Sequence, residues 1–259
     1  MQRNIFLDPF SISSVPIRMY YNETCLSHGT GFFYKKSSDT YLVTNLHNFS
    51  GKNLETGKCL SSNGGIPNKI ASSFYNINSE EKLIKTDFNA ELYSQDNNSV
   101  WLNHKNNKID IALLKMNIPK EYKVFAINES NTQDMVIQVG MEAFVLGFPV
   151  KMFTDIIPIW KRATIASEYD FNVNNMQQFL IDTATYSGMS GAPVILRSAS
   201  YRDNKGNVNH VISPSIPTKF IGIYSGRLSL DNTNDKDVAR AQLGIVWKKE
   251  LIDEIIDCQ

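Results

Sequence analysis

Ser190 lies in the stretch of the chain with the clearest potential for chemistry. Residues 188–193 read Gly-Met-Ser-Gly-Ala-Pro and stand between two apolar runs. A serine between glycines has an uncrowded hydroxyl, and glycine permits backbone turns that other residues resist. Such a turn can direct neighbouring N–H groups at one point, as the stabilisation of an oxyanion requires. The stretch also fits a tight turn with an incidental serine, because Gly and Ser are ordinary turn residues.

Two other residues could act on the Ser190 hydroxyl. His47 follows the apolar run 41–44, so we expect its imidazole just beyond the end of a buried strand. Asp110 lies in the apolar run 109–114, where an acid often caps the start of a strand, but a carboxylate so close to buried residues needs a partner. An imidazole can take the proton of a serine hydroxyl, and a carboxylate can orient the imidazole. The three residue types together indicate nucleophilic catalysis.

The elements that would position these residues are short strands. Apolar or alternating runs bounded by Gly, Asn and Ser recur along the chain, and only 248–257 has helical spacing. We predict an all-β fold of two packed antiparallel six-stranded β-barrels with a C-terminal α-helix. The predicted units are an N-terminal arm (1–13), a barrel with His47 and Asp110 (14–125), and a barrel with Ser190 and the helix (126–259). The predicted strands cover 15–21, 31–35, 40–44, 69–74, 109–114, 142–148, 156–164, 178–183, 192–196, 220–224 and 242–247, and 198–218 is a predicted surface loop.

These motifs resemble those of the chymotrypsin/trypsin-like serine peptidases. Thr-Asn-Leu-His at 44–47 is similar to the family's Thr-Ala-Ala-His, Asp-Ile-Ala-Leu-Leu at 110–114 matches its aspartate motif, and 188–193 resembles Gly-Asp-Ser-Gly-Gly-Pro. The order His, Asp, Ser is also that of the family, whereas α/β-hydrolases run Ser, Asp, His. Gly-Thr-Gly-Phe at 29–32 and Ile-Asp-Thr-Ala at 181–184 are similar to the Htr-type bacterial branch. We expect a member of that style without an appended PDZ domain.

The resemblance implies a catalytic role for each matching residue. Ser190 would be the nucleophile, His47 the general base and then the general acid, and Asp110 the carboxylate that orients His47. The backbone N–H groups of Gly188 and Ser190 would form the oxyanion hole. Met189 replaces the acid that receives a new N-terminus in members activated by trimming. We therefore expect the full-length chain to be active, or to be controlled in another way, for instance by a regulatory protein partner.

The resemblance also marks residues that would bind substrate. Ser225 looks like the family's serine that supports the catalytic aspartate, although a turn residue at a strand end is an equal interpretation; Gly226 and Arg227 follow on the strand that would hold an extended peptide. Ala184 stands where members that cleave after Lys or Arg carry Asp, so we expect no strong basic preference. Ala184 and Gly244, on the far wall, favour apolar side chains. Arg227, at the rim, offers the alternative of an acidic side chain.

Composition limits the remaining possibilities. The chain has 259 residues, 42% of them hydrophobic, with 26 basic and 26 acidic residues. A neutral chain gives no electrostatic reason to expect nucleic acid or an anionic membrane as a partner. Three cysteines without metal-ligand spacing, a polar N-terminus and the lack of a phosphate-binding motif predict a cytoplasmic protein without metal or cofactor. The resemblance to the Htr-type branch implies a bacterial protein.

We predict a serine endopeptidase that acts on a protein or peptide substrate. Two alternatives stay open from the sequence. One is a catalytically inactive peptide-binding module of the same fold, and the other is an esterase or acyl hydrolase that uses the same triad.

Overall fold

Strands form most of the regular structure of the chain. The computed structural model describes residues 7–77, 82–129, 134–149, 157–212, 216–228 and 242–258. The strands of the first half are β1 (Ser14–Tyr21), β2 (Thr24–Lys36), β3 (Asp39–Thr44), β4 (Lys69–Ile77), β5 (Leu83–Glu91), β6 (Leu102–Asn103) and β7 (Ala112–Met116). Those of the second half are β8 (Glu142–Gly147), β9 (Ile159–Ile165), β10 (Gln178–Asp182), β11 (Pro193–Arg197), β12 (Ser200–Arg202), β13 (Val208–His210), β14 (Thr218–Arg227) and β15 (Leu243–Lys248). The helices in these ranges are α1 (Pro9–Ser13), α2 (Leu46–Ser50) and α3 (Glu250–Asp257).

The first half is a single antiparallel sheet with the strand order β5-β4-β1-β2-β3-β7-β6. It has seven strands, with β5 and β6 at its two ends, where the sequence predicted a six-stranded barrel. The additional strand β5 pairs with β4 over nine positions, from Lys69 opposite Glu91 to Ile77 opposite Leu83. Its side chains alternate between exposed and half-buried and are mostly polar, so it lacks the apolar run by which the other strands are recognised.

The second half is a closed barrel with the strand order β10-β15-β14-β11-β8-β9. This confirms the predicted six-stranded barrel, and α3 confirms the predicted C-terminal helix. The polar stretch 198–218, predicted as a loop, contains the hairpin of β12 and β13, in which Ser200 lies opposite His210. Strands of three residues are too short to show a periodic pattern in the sequence. Residue 156 of the predicted strand 156–164 lies outside the described residues.

The apolar core has one part within each half and a third part between the two halves. The third part joins side chains of β2, β3 and β7 to side chains of β11, β14, β15 and α3. Phe32 and Phe220 meet there edge to face, with ring centroids 5.3 Å apart. Both rings are almost fully buried, so this contact belongs to the main docking surface of the halves. Asp110, one of the predicted site residues, lies between Ile109 and Ile111, which both belong to this third part.

Residues 7–13, at the end of the predicted N-terminal arm, pack against both halves. Asp8 begins α1, since its Oδ1 accepts a hydrogen bond from the Phe10 N–H at 3.0 Å. Phe10 is buried in the core between the halves. Ser11 Oγ accepts a hydrogen bond from Trp160 Nε1 at 2.8 Å, and Asp8 pairs with Arg197. This segment therefore contributes to the packing of the body.

Candidate active site

His47 is held on a single helical turn directly after a core strand. β3 ends at Thr44 and α2 begins at Leu46, as the apolar run 41–44 predicts. Gly51 ends the turn with φ +65°, and its N–H donates to the His47 carbonyl at 3.0 Å. Glycine adopts this left-handed conformation without steric cost. The His47 side chain is 21% exposed, which leaves part of the imidazole accessible to a substrate.

Asp110 lies just before β7 and is surrounded by hydrogen-bond donors. Its Oδ2 is 2.7 Å from His47 Nδ1 and accepts from Ser225 Oγ at 2.6 Å. Its Oδ1 accepts from the His47 backbone N–H at 2.9 Å. An ionised carboxylate can only accept, so the hydrogen of a neutral His47 belongs on Nδ1 and Nε2 has a free lone pair. The geometry thus supplies the partner that a buried carboxylate needs.

Burial and charge shift the pKa values of His47 and Asp110 in opposite directions. Burial lowers the pKa of His47, but the charge of Asp110 and its hydrogen bond outweigh this effect and hold the pKa above its ordinary value of 6.5. Burial raises the pKa of Asp110, while the charge of His47 and the hydrogen bonds from His47 and Ser225 hold it below the ordinary value. Asp110 is therefore ionised at neutral pH and stabilises a protonated His47.

Ser225 reaches Asp110 because β14 is irregular at this position. β14 pairs regularly with β15 up to Tyr224, and the register shifts before Gly226, which pairs with Ile245. A bulge of this kind turns a side chain away from the regular alternation. The Ser225 hydroxyl therefore crosses from the second half of the molecule to a carboxylate of the first half.

The loop around Ser190 is fixed from the first half by Thr30 of β2. Thr30 Oγ1 donates to the Gly188 carbonyl at 2.8 Å, and the Thr30 N–H donates to the Ser190 carbonyl at 2.9 Å. Asn48, the residue after His47, donates from Nδ2 to the same Ser190 carbonyl at 3.3 Å. The predicted nucleophile is therefore held by neighbours of the predicted base.

Gly191 allows the loop to approach β2 this closely. Its φ is +86°, and a Cβ at this position would lie 2.1 Å from the Thr30 carbonyl oxygen and 2.3 Å from Thr44 Oγ1. These distances exclude any side chain unless the backbone moves. The Gly191 N–H donates to the Tyr224 carbonyl at 2.8 Å, which fixes the loop to β14 as well. Contact between the two halves thus requires glycine directly after Ser190.

The two predicted oxyanion donors are not used within the loop. Among the hydrogen bonds of the described residues, neither the Gly188 N–H nor the Ser190 N–H has an acceptor. By contrast, the Met189 N–H donates to the Tyr186 carbonyl at 3.3 Å, and the Ala192 N–H donates to the Met189 carbonyl at 3.0 Å. Gly188 has φ +95°, which glycine adopts readily. Two free donors close to the Ser190 hydroxyl are what a developing oxyanion needs.

The hydrogen bonds of the described chain join His47 to Asp110 directly, but none joins the Ser190 hydroxyl to His47. In proteins without a bound substrate, hydrogen bonds of this type are often long and tighten only in the complex with substrate. Asn48, the residue after His47, donates from Nδ2 to the Ser190 backbone carbonyl at 3.3 Å and to Thr44 Oγ1 at 2.9 Å.

The residues predicted to line the specificity pocket are arranged around Tyr224. A Cβ on Gly244 would lie 2.6 Å from Tyr224 Cε2, so the tyrosine ring takes the space beside this glycine. The Tyr224 hydroxyl is hydrogen-bonded to the Thr185 hydroxyl, and the Arg227 guanidinium donates to the Thr185 carbonyl. Ala184, the residue before Thr185, is half-buried. The apolar space expected from Ala184 and Gly244 is thus reduced by Tyr224.

Met189 packs into the apolar core of the second barrel. Its side chain is 2% exposed, and a Cβ on Gly147 would lie 2.8 Å from its Sδ. The described side chains that form this core with Met189 are apolar, among them Val145 and Val194. A carboxylate at this position would be buried away from any partner in that core, at a cost of free energy.

A comparison with protein families decides what kind of molecule carries this site. Residues 29–200, well over half of the chain, match the model of the trypsin-like peptidase domain. The chain belongs to the trypsin-like peptidase family. This confirms the resemblance to the trypsin-like serine peptidases seen in the sequence. No curated protein matches the sequence of this peptidase.

Solved structures agree with this assignment at the level of the fold. The serine endoprotease from Yersinia pestis is similar over 95% of this peptidase and 62% of that chain, with 12% identity and a TM-score of 0.51. Deg5 is similar over 94% of this peptidase and 87% of that chain, with 15% identity and a TM-score of 0.52. The peptidase thus spans less than two thirds of the Yersinia chain. At such identities the similarity shows a shared fold alone.

Two residues that position the site of this peptidase escaped prediction. Thr30 lies in the Gly-Thr-Gly-Phe motif, which the sequence analysis used only as a mark of family. Its neighbour Gly29 shows why the motif is rich in glycine, since a Cβ there would lie 2.8 Å from Asn48 Nδ2. Asn48 directly follows the predicted base. A polar residue next to the predicted base is the signal that could have identified Asn48.

The described part of the peptidase offers no alternative site for metal chemistry. Within it, no group of three or more His, Cys, Asp and Glu side chains could hold a metal ion. Its helices are also not long and apolar enough to cross a bilayer.

Proposed function

We propose that this peptidase is a serine endopeptidase that uses Ser190, His47 and Asp110 to hydrolyse peptide bonds. The observation that carries the proposal is the set of three hydrogen bonds on Asp110, two from His47 and one from Ser225. These contacts orient the imidazole and join the two halves of the molecule next to the Ser190 loop. They support a base that is prepared to take a proton at Nε2.

The reaction would proceed through an acyl-enzyme. Ser190 Oγ attacks the peptide carbonyl carbon while His47 Nε2 takes its proton, and the oxyanion accepts hydrogen bonds from the Gly188 and Ser190 N–H groups. His47 then gives the proton to the leaving amine, and the peptide C–N bond breaks. A water molecule attacks the ester carbonyl while His47 Nε2 takes a proton from that water. The bond between the acyl carbon and Ser190 Oγ then breaks, His47 returns the proton to Ser190 Oγ, and the carboxylic acid product leaves.

The substrate would bind as an extended strand. Residues Ser225 and Gly226 lie where β14 departs from its regular pairing with β15. Backbone groups at such a position can pair with a peptide by strand addition, which holds the peptide without reading its side chains. The chemistry of the side-chain pocket would then decide the cleavage site.

The compartment and a regulatory partner belong to the same proposal. Cys25, Cys59 and Cys258 are all free and exposed, which supports a reducing environment such as the cytoplasm. Control by a partner protein stays a prediction. Purification of the tagged protein from its native cells tests it, with a specific protein recovered in fixed ratio as the expected result.

A fluorophosphonate probe combined with peptide turnover tests the proposed function. We expect covalent labelling of the wild-type protein, no labelling of Ser190→Ala, and hydrolysis of casein or of a peptide mixture by the wild type alone. Labelling without turnover of any peptide would instead support an acyl hydrolase. A folded wild-type protein that is not labelled would support a non-catalytic peptide-binding module.

A further inference from the structure

Arg227 connects the two walls of the expected specificity pocket. It stands at the end of β14, two residues after Ser225, and its guanidinium Nη2 donates to the Thr185 carbonyl. Thr185 lies in the segment that leads to Ser190. The guanidinium therefore spans the gap between β14 and the nucleophile loop. A substrate side chain that enters this gap must meet the guanidinium.

A second polar contact joins Thr185, the hydrogen-bond partner of Arg227, to Tyr224 of β14. Tyr224 and Thr185 are each 2% exposed, and their hydroxyls are hydrogen-bonded to each other. The Tyr224 ring lies against Gly244, on the wall that the sequence assigned to an apolar pocket. Burial raises the pKa of Tyr224, while the hydrogen bond between Tyr224 and Thr185 and the charge of Arg227 oppose this rise, in keeping with a cation close to the phenol.

In the part of the chain that the structure describes, most donors of the Arg227 guanidinium are not engaged. Arginine has five N–H donors, and the described contacts of Arg227 use one group, Nη2. Among the described residues, no carboxylate forms an ion pair with Arg227. A carboxylate on the substrate can accept two parallel hydrogen bonds from a guanidinium, whereas an apolar side chain would remove it from water without compensation. A lysine or arginine of the substrate would be repelled.

We propose that Arg227 makes this site selective for a Glu or Asp side chain at P1, the substrate residue on the N-terminal side of the cleaved bond. The inference rests on the proposed function, because a P1 residue exists only if Ser190 attacks a peptide carbonyl. The sequence analysis favoured an apolar P1 side chain because of Ala184 and Gly244. The inference favours instead the acidic P1 side chain that Arg227 offered as the alternative.

Matched peptides that differ only at P1 test this inference. Glu and Gln have the same shape, so their ratio of kcat/KM isolates the charge. We expect Glu to exceed Gln by at least about tenfold at low ionic strength, with Lys the poorest P1 residue. Arg227→Gln should bring the ratio of Glu to Gln close to one. Arg227→Glu should reverse the preference, so that a Lys substrate is cleaved faster than a Glu substrate.

Arg202→Gln is the matched control, because Arg202 lies on β12 and contacts the Gly206 carbonyl at 2.9 Å. It should keep the wild-type ratio of Glu to Gln. Labelling of Ser190 by a fluorophosphonate does not depend on P1 and reports the proposed function alone. Labelled wild-type protein with equal rates for Glu and Gln contradicts the acidic preference while the proposed function stands. A wild-type protein without labelling contradicts both.

Discussion

The Asp110 carboxylate determines both the tautomer and the pKa of the His47 imidazole. Both of its oxygens accept hydrogen bonds, and the donors come from α2 and from β14. Since the donors are an imidazole, a backbone N–H and a hydroxyl, the carboxylate is stabilised as an anion despite its burial. The His47 imidazole is consequently presented in one tautomer and with a raised pKa.

The pH dependence of activity should report this pair. His47 acts as a base only when it is neutral, so kcat/KM should rise with pH through a midpoint above 6.5, the ordinary pKa of histidine. Asp110→Asn removes the charge that raises this pKa and leaves the burial that lowers it. We expect the midpoint to move to lower pH and kcat to fall by about 10⁴-fold. NMR titration of His47 in both proteins gives its pKa directly. An unchanged His47 pKa in the variant would contradict this account.

The apolar surroundings of Met189 can be tested by the stability of two variants. Met189→Asp places a carboxylate in an apolar core, and we expect it to lower the free energy of unfolding by about 3–5 kcal/mol, as other unpaired buried charges do. Met189→Leu keeps the volume and should cost less than about 1.5 kcal/mol. Urea denaturation measures both values. Equal stability of the Asp and Met proteins would show that a cation partner exists for this position.

At the level of elements, β2 and the Ser190 loop form one unit. Thr30 contributes a backbone donor and a side-chain donor to this loop, and its Oγ1 also accepts from the Phe148 N–H at 3.0 Å. The sequence predicted β2, β3 and the position of His47 at a strand end, because their apolar runs are continuous. It could not predict the bulge at Ser225 or the hydrogen bonds of Thr30, because both depend on which strands meet in space.

Thr30→Val tests the coupling between β2 and the loop. Valine keeps the shape but leaves the buried Gly188 carbonyl and the Phe148 N–H without their partner, each at a cost of about 1–3 kcal/mol. We expect kcat to fall at least about tenfold with little change in KM, because the oxyanion donors lose their support.

Thr30→Ser is the control for this experiment, since it retains the hydroxyl. It should keep most of the wild-type kcat. If the Val and Ser variants were equally active, the hydroxyl would have no role in positioning the loop.

At the level of the whole molecule, the site depends on the docking of the two halves. His47, Asp110 and Thr30 belong to the first half, whereas Ser225 and the Ser190 loop belong to the second. The sequence predicted the all-β class, the closed second barrel and the helix, since these follow from periodicity. The seventh strand of the first sheet and the packing of residues 7–13 depend on contacts that no local pattern encodes.

The core between the halves should therefore control stability and activity together. Phe32→Ala removes one ring of the edge-to-face pair with Phe220, and we expect a loss of about 3–5 kcal/mol in the free energy of unfolding. Phe74→Ala is the control, because Phe74 lies in the core of the first sheet alone. At comparable loss of stability, the Phe32 variant should show slower fluorophosphonate labelling of Ser190 than the Phe74 variant. Equal labelling rates would mean that the junction does not position the site.

The hydrogen bonds that complete the site join residues far apart in the chain. Ser225 and Asp110 are separated by 115 positions, and Thr30 and Gly188 by 158. While the chain is being synthesised, Thr30 cannot meet its partner before residue 188 has been added, and Asp110 cannot meet Ser225 before residue 225 has been added. A chain that ends before residue 190 thus carries His47 and Asp110 without Ser190. Under the proposed function, such a copy lacks the nucleophile and cannot hydrolyse peptide bonds through this site.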